Sequence, residues 1–114
     1  MSTVITDEYM KEMLTTTKGY TVVILKSAPN RSQVEGADRI VWEHGRNNFR
    51  LRAEGILSIV CPIMDGSGIS GISIFNAPEE EVKTIMDADP GVQAGIFTYE
   101  IHPCRSFPGD RLPE

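Results

Sequence analysis

His44, Asn48 and Arg52 recur every fourth residue, a spacing that stacks side chains along one face of an α-helix. An imidazole, an amide and a guanidinium set side by side can move a proton, hold a polar group and attract an anion. Their place in the helix gives the trio its weight. At about 100° per residue, Arg39, Glu43, Arg46, Asn47, Arg50 and Glu54 gather on one side as a solvated face. The opposite arc is then the buried one, with Ile40 and Leu51 on one flank, Trp42, Phe49 and Ala53 on the other, and Val41 and Gly45 between them. His44, Asn48 and Arg52 run down its middle. Such groups are costly to bury without partners, so the core beneath this helix is expected to hold a polar cavity that takes a ligand.

The elements that must position this trio follow from periodicity and turn chemistry. Thr6 to Leu14 carries Tyr9, Met10, Met13 and Leu14 at helical spacing, which predicts a short leading helix. After Gly19, the β-branched and aromatic run Tyr20 to Leu25 predicts a first strand. A polar loop from Lys26 to Gly36 leads to Asp38 as the start of the long helix, and Gly55 ends it. Ile56 to Met64 predicts a second strand, apolar on both alternating faces, with Leu57, Ile59, Cys61 and Ile63 on one and Ile56, Val60 and Met64 on the other. The turn Asp65-Gly66-Ser67-Gly68 leads into a third strand, Ile69 to Phe75. Asn76-Ala77-Pro78-Glu79 has the form of a helix start capped by the asparagine. Val82, Ile85 and Met86 form the buried stripe of this second core helix, and Asp89 continues it directly before the helix-breaking Pro90. Gly95 to Ile101 predicts the last strand, and the tail from His102 to Glu114 is expected to be mostly irregular.

The order β-α-β-β-α-β is that of the ferredoxin-like fold, an α+β arrangement in which both helices cover one face of a four-stranded antiparallel sheet. Residues 1–18 then form a helical extension, 19–104 the domain and 105–114 the tail. Phe97, Tyr99 and Ile101, with the doubly apolar second strand, predict that a second subunit covers the other face, making a homodimer.

Composition narrows the function classes. The chain has 114 residues, 40% hydrophobic and 24% charged, with a net charge of −5, the balance of a single globular domain. The acidic charge argues against a nucleic-acid partner. No run approaches the roughly 20 apolar residues of a membrane span, and Met1 to Met10 lacks the apolar segment of a signal peptide, so a cytoplasmic location is expected. Cys61 and Cys104 read as free thiols. His102-Pro103-Cys104 is too sparse for metal ligation without a second cluster, so no metal is expected. Gly66-Ser67-Gly68 lacks the following lysine and helix of a phosphate loop.

With these residues in place, the chain resembles the YCII-related family of small α+β proteins. The resemblance rests on the first strand with Pro29-Asn30-Arg31 after it, the helix with His44 that closes at Glu54-Gly55, and Pro62 near the end of the second strand. It continues through Gly71-Ile72-Ser73-Ile74-Phe75, Asp89-Pro90 with Val92, Ala94 and Gly95, and the closing Ile101-His102-Pro103. It implies a dimeric α/β barrel, two ferredoxin-like sheets packed face to face, and a pocket holding a His-Asp pair that maps to His44 and Asp89. The family's few assigned activities include dehydrochlorination of a chlorinated hydroxyhydroquinone. Two departures stand out: Gly45 where the family usually has leucine after the histidine, and Pro103-Cys104 where it commonly ends the strand in Pro-Trp.

Asp89 accepting from one imidazole nitrogen would leave the other free as a general acid or base. Arg52 would attract an anionic or phenolic substrate, unless it forms an internal ion pair or reaches to water. Arg31 and Tyr99 are further candidates for the pocket rim, with surface or dimer roles as the plainer alternative, and Asp65 reads as a turn residue. Three functions fit: a cofactor-independent lyase, isomerase or hydrolase working by proton transfer at His44 on a small polar or aromatic molecule; a small-molecule binding or sensing dimer; and a structural dimer with a polar core.

Overall fold

A computed structural model describes residues 3–114; residues 1 and 2, which open the expected extension, lie outside it. The elements run α1 (Asp7–Leu14), β1 (Lys18–Ser27), a 3₁₀ turn (Arg31–Gln33), α2 (Ala37–Ala53), β2 (Leu57–Pro62), β3 (Ile69–Phe75), α3 (Glu79–Asp87), α4 (Pro90–Gln93) and β4 (Phe97–Ser106). The four strands form one sheet in the order β2-β3-β1-β4, every pair antiparallel. With α2 and α3 packed on one face, this is the ferredoxin-like α+β fold. No helix among the described residues is long and apolar enough to cross a membrane.

The core lies between that sheet face and the helices. Val23 and Leu25 of β1, Leu57 of β2, Phe75 of β3 and Phe97 of β4 meet Leu51 of α2 and Val82 and Met86 of α3, with Ile96 beside them. Leading helix α1 contributes no buried residue. It is held internally by Thr6, whose hydroxyl accepts from the Tyr9 N–H at 3.1 Å.

Several element ends differ from expectation, each for a local reason. Helix α2 begins one residue before Asp38, on Gly36 at φ +71°, a left-handed conformation that favours glycine. Asn76 does not cap α3: its side-chain oxygen accepts from Lys18 Nζ at 2.7 Å, and Pro78 occupies the cap position. Pro90 does more than end a helix, because it opens α4 at the position where a missing N–H costs nothing. Strand β4 continues through His102-Pro103-Cys104 to Ser106, pairing with β1 from Ser27↔Phe97 to Lys18↔Ser106. The irregular tail therefore starts at 107, not at 102.

Two corrections concern which side chains face inward. Phe97, Tyr99 and Ile101 point to the helices, with Phe97 buried in the core and the other two packed against it; they do not form the surface for a second subunit. In β2, the register shifts between Leu57 and Ile59, so the one extra residue, Ser58, lets both Leu57 and Val60 face the core. The outer sheet face is left with half-buried Val22, Ile24, Ile59 and Ile74 and the exposed Ile72. On α2, Trp42, Phe49 and Ala53 are exposed, the first two at 66% and 73%. The buried arc is centred on Ile40, His44 and Leu51 instead, which brings Asn47 in from the face expected to be solvated.

That rotation predicts a contrast in stability. Leu51→Ala should lower the unfolding free energy by about 2–4 kcal/mol, while Trp42→Ser should change it by less than about 1 kcal/mol, both read from urea denaturation followed by circular dichroism.

Candidate active site

Beneath α2 the sheet does not close onto the helix. A cavity of about 670 Å³ opens there, with Val41, His44, Gly45 and Asn48 of α2 above and Val23, Leu25, Gly71 and Ser73 of the sheet below. Small residues make the room. A Cβ added to Gly45 would meet nothing within 4 Å, so this mid-helix glycine keeps space open despite its helix cost of about 1 kcal/mol relative to alanine. Gly71 is needed for another reason, since a Cβ there would approach the Cys61 carbonyl oxygen to 3.1 Å. Phe49, Arg52 and Met64 stand at the solvent side, where Met64 is 91% exposed.

Asp89 lies behind His44 and is 1% exposed. His44 Nδ1 donates to its carboxylate, 2.8 Å from Oδ1 and 2.9 Å from Oδ2. The Gly91 and Val92 N–H groups donate to Oδ2 at 2.9 and 3.2 Å, and Asn47 Nδ2 donates to Oδ1 at 3.3 Å. The local sequence builds this cradle: Asp89 caps α4, Pro90 sets the first turn, and the next two backbone N–H groups fold back onto the carboxylate. Gly91 must be small, because a Cβ there would lie 2.5 Å from Phe97 Cδ2.

An ionised carboxylate only accepts, so Nδ1 carries the ring proton. In the neutral imidazole Nε2 then holds the lone pair, which accepts from Asn48 Nδ2 at 3.3 Å. The ring rests on Phe97, centroids 4.8 Å apart and tilted by 51°. Arg31 flanks the same phenyl ring with its Cζ 5.1 Å from the centroid, and its Nη1 donates to Ser27 Oγ at 3.0 Å.

Of the residues picked out in the sequence, the structure brings His44, Asn48, Arg31 and Arg52 to one cavity and sets Asp89 directly behind the imidazole. Arg52 is exposed at the mouth and forms no ion pair with Asp89. Tyr99 does not reach the cavity. Its hydroxyl donates to Asp87 Oδ1, and Lys83 Nζ donates to Asp87 Oδ2 at 2.7 Å. Asp65 closes its own turn by accepting from the Ser67 N–H at 3.0 Å. Sequence reasoning missed Asn47, which carried no signal because the arc was centred one flank away. It also missed the joint role of Phe97 under His44 and Arg31, which alternation along β4 detects only once the inward face is known.

No known family profile and no curated protein matches the chain. Among solved structures, the chain is similar to 5-chloro-2-hydroxyhydroquinone dehydrochlorinase from Burkholderia phenoliruptrix AC1100, in complex with 2,5-dihydroxybenzoquinone. The TM-score is 0.57 at 21% identity, over 73% of this chain and 90% of that one. At this identity the likeness establishes a shared fold.

The Tyr99 cluster gives a pH prediction. Desolvation, then the hydrogen bond to Asp87, raises the Tyr99 pKa above its ordinary value, and the hydrogen bonds from Lys83 and Tyr99 lower that of Asp87. A raised phenol contributes stability below about pH 10 that is lost as pH rises through its folded-state value; a lowered carboxylate contributes stability that is lost as pH falls through its own. The 295 nm titration step missing in Tyr99→Phe should therefore lie above that of a free tyrosine, and Asp87→Asn should move it down.

Proposed function

We propose that this chain is a cofactor-independent enzyme of the YCII-related type, transferring a proton through His44 in an elimination or isomerisation of a small polar or aromatic molecule. The observation that carries this reading is the His44 to Asp89 contact: a buried carboxylate with fixed donors holds Nδ1, and Nε2 stands beside Asn48 on the cavity wall. Asp89 orients the ring and stabilises the imidazolium that forms when Nε2 takes a proton from a substrate C–H. The C–H pair becomes a new π bond as a leaving group departs from the neighbouring carbon with its own bonding pair, or the proton returns at a different carbon. Asn48 and the arginines bind the substrate's polar groups. The shared fold with a dehydrochlorinase supports a lyase-type reaction.

The test is turnover of 5-chloro-2-hydroxyhydroquinone, followed by chloride release, and of a panel of hydroxylated aromatics and lactones, followed by deuterium uptake from solvent. Activity should vanish in His44→Ala with the fold retained, and should drop about 10²-fold or more in Asp89→Asn through mispositioning of the ring. Full activity in His44→Ala would end this mechanism.

A non-catalytic binding module is the second reading, favoured by one contact: Asn48 already occupies the Nε2 lone pair that a base must offer. In a binder, His44→Gln keeps ligand affinity and no substrate turns over.

In the same proposal the chain acts as a cytoplasmic homodimer, a dimeric α/β barrel without a nucleic-acid partner. The support is the apolar outer sheet face of Val22, Ile24, Ile72 and Ile74, a row that favours burial against a second copy. Light scattering at micromolar concentration should give twice the 12.6 kDa chain mass; a monomer mass would refute the dimer.

A further inference from the structure

The cavity's charge runs against that of the chain. The protein has 16 acidic and 11 basic residues, yet among the described residues no Asp or Glu lines the cavity, whereas Arg31 and Arg52 both do. The carboxylate behind His44, that of Asp89, has both oxygens engaged, and Asp65, between the lining residues Met64 and Gly66, accepts from the Ser67 N–H of its own turn. Helix α2 supplies its own comparison. Arg39, Arg46 and Arg50 each pair with a glutamate at 3.4, 3.0 and 3.2 Å, but Arg52, on the cavity side, has no carboxylate within 4.0 Å among the described residues.

Arg31 is the better-built of the two. It is half-buried on the 3₁₀ turn, stacked on Phe97 and tied to Ser27 Oγ, which itself lies 2.5 Å from Ser70 Oγ. These contacts fix the guanidinium plane while using one of its N–H donors; no carboxylate lies within 4.0 Å among the described residues, and the fork remains available to the cavity. A planar guanidinium held this way matches a planar two-oxygen anion. Phe97 links the two groups, since His44 packs on the ring that Arg31 flanks and all three line the one cavity.

We propose that the substrate is a small carboxylate whose acid group is clamped by Arg31, with Arg52 drawing it in at the mouth. This rests on the cavity being the substrate site and adds the substrate's class. Arg31 is a binding group here, and His44 remains the proton carrier.

The test compares 2,5-dihydroxybenzoate with its uncharged amide, 2,5-dihydroxybenzamide, by isothermal titration calorimetry on the full chain. The acid should bind about tenfold or more tightly than the amide, the effect of one charge-assisted contact. That preference should vanish in Arg31→Met and Arg31→Gln, survive in part in Arg31→Lys, and persist in His44→Gln. Thermal melting confirms that each variant is folded, and the fall of acid affinity with added salt supplies a readout on the wild type. Equal binding of acid and amide, a preference that survives loss of Arg31, or no acid binding at millimolar concentration would overturn the proposal. Acid binding through Arg31 in a chain whose turnover ignores His44→Ala would refute proton transfer and leave the anion assignment standing.

Discussion

The Asp89 carboxylate is the point on which the rest of this structure turns. A charged group that is 1% exposed is tolerated only when its oxygens are fully engaged. Here the donors come from two directions: the Gly91 and Val92 backbone at the start of α4, and the His44 and Asn47 side chains of α2. One carboxylate therefore ties the long helix to the segment that follows α3. A hydrogen bond to a charged group contributes about 1.5–3 kcal/mol in general, so stability and imidazole orientation are held by the same atoms. The backbone half of the cradle is local to Asp-Pro-Gly-Val and needs nothing from α2. It fixes the carboxylate's direction, and the imidazole docks against an acceptor already in place.

The packed core and the cavity occupy different parts of one helix-sheet layer. Leu57, Val82 and Ile96 are no more than 1% exposed and fill the first, while Val23 and Phe75 border both. The second stays hollow because Gly45 and Ser73 face it where larger side chains would fill it, and Gly71 beside them is held to glycine by the Cys61 carbonyl. A void lined this way forfeits dispersion and burial that leucine could supply, and a glycine inside a helix adds its own penalty. Such losses are characteristic of sites kept open for a ligand at the expense of stability.

The fold was legible from periodicity because each element carries a pattern of its own length, with Gly55, Asp65 to Gly68 and Pro90 marking the joints. The His44, Asn48, Arg52 row and Asp89 were legible as polar breaks in two apolar stripes. What escaped detection was rotation and register. Trp42 and Phe49 weighted the arc toward a flank that is in fact exposed, which hid Asn47. The extra residue at Ser58 reverses which β2 side chains face inward, and alternation cannot reveal a bulge. Phe97 and Ile101 read correctly as alternating apolar residues, yet on the wrong face, since period two fixes which residues share a side and says nothing of which side is covered. Residues 102–106 escaped because three prolines between His102 and Glu114 suggested a tail, while Pro103 is tolerated on β4, which is an edge strand.

Asn48 decides how the imidazole can be used. Its amide donates to Nε2 at 3.3 Å, longer than the usual range for a nitrogen donor, while Asp89 holds Nδ1 at 2.8 Å. The two contacts are unequal in strength and opposite in consequence. The short, charge-assisted one fixes the tautomer and the ring plane. The long, neutral one keeps the Nε2 lone pair satisfied while the cavity holds no ligand, and is readily exchanged because its loss leaves no charge uncompensated. A substrate that presents a proton to Nε2 and a polar oxygen to the freed amide replaces this contact with two better ones. The resting hydrogen bond that favours a binder is thus also what a catalyst needs between turnovers, provided that the displaced amide finds an oxygen on the substrate.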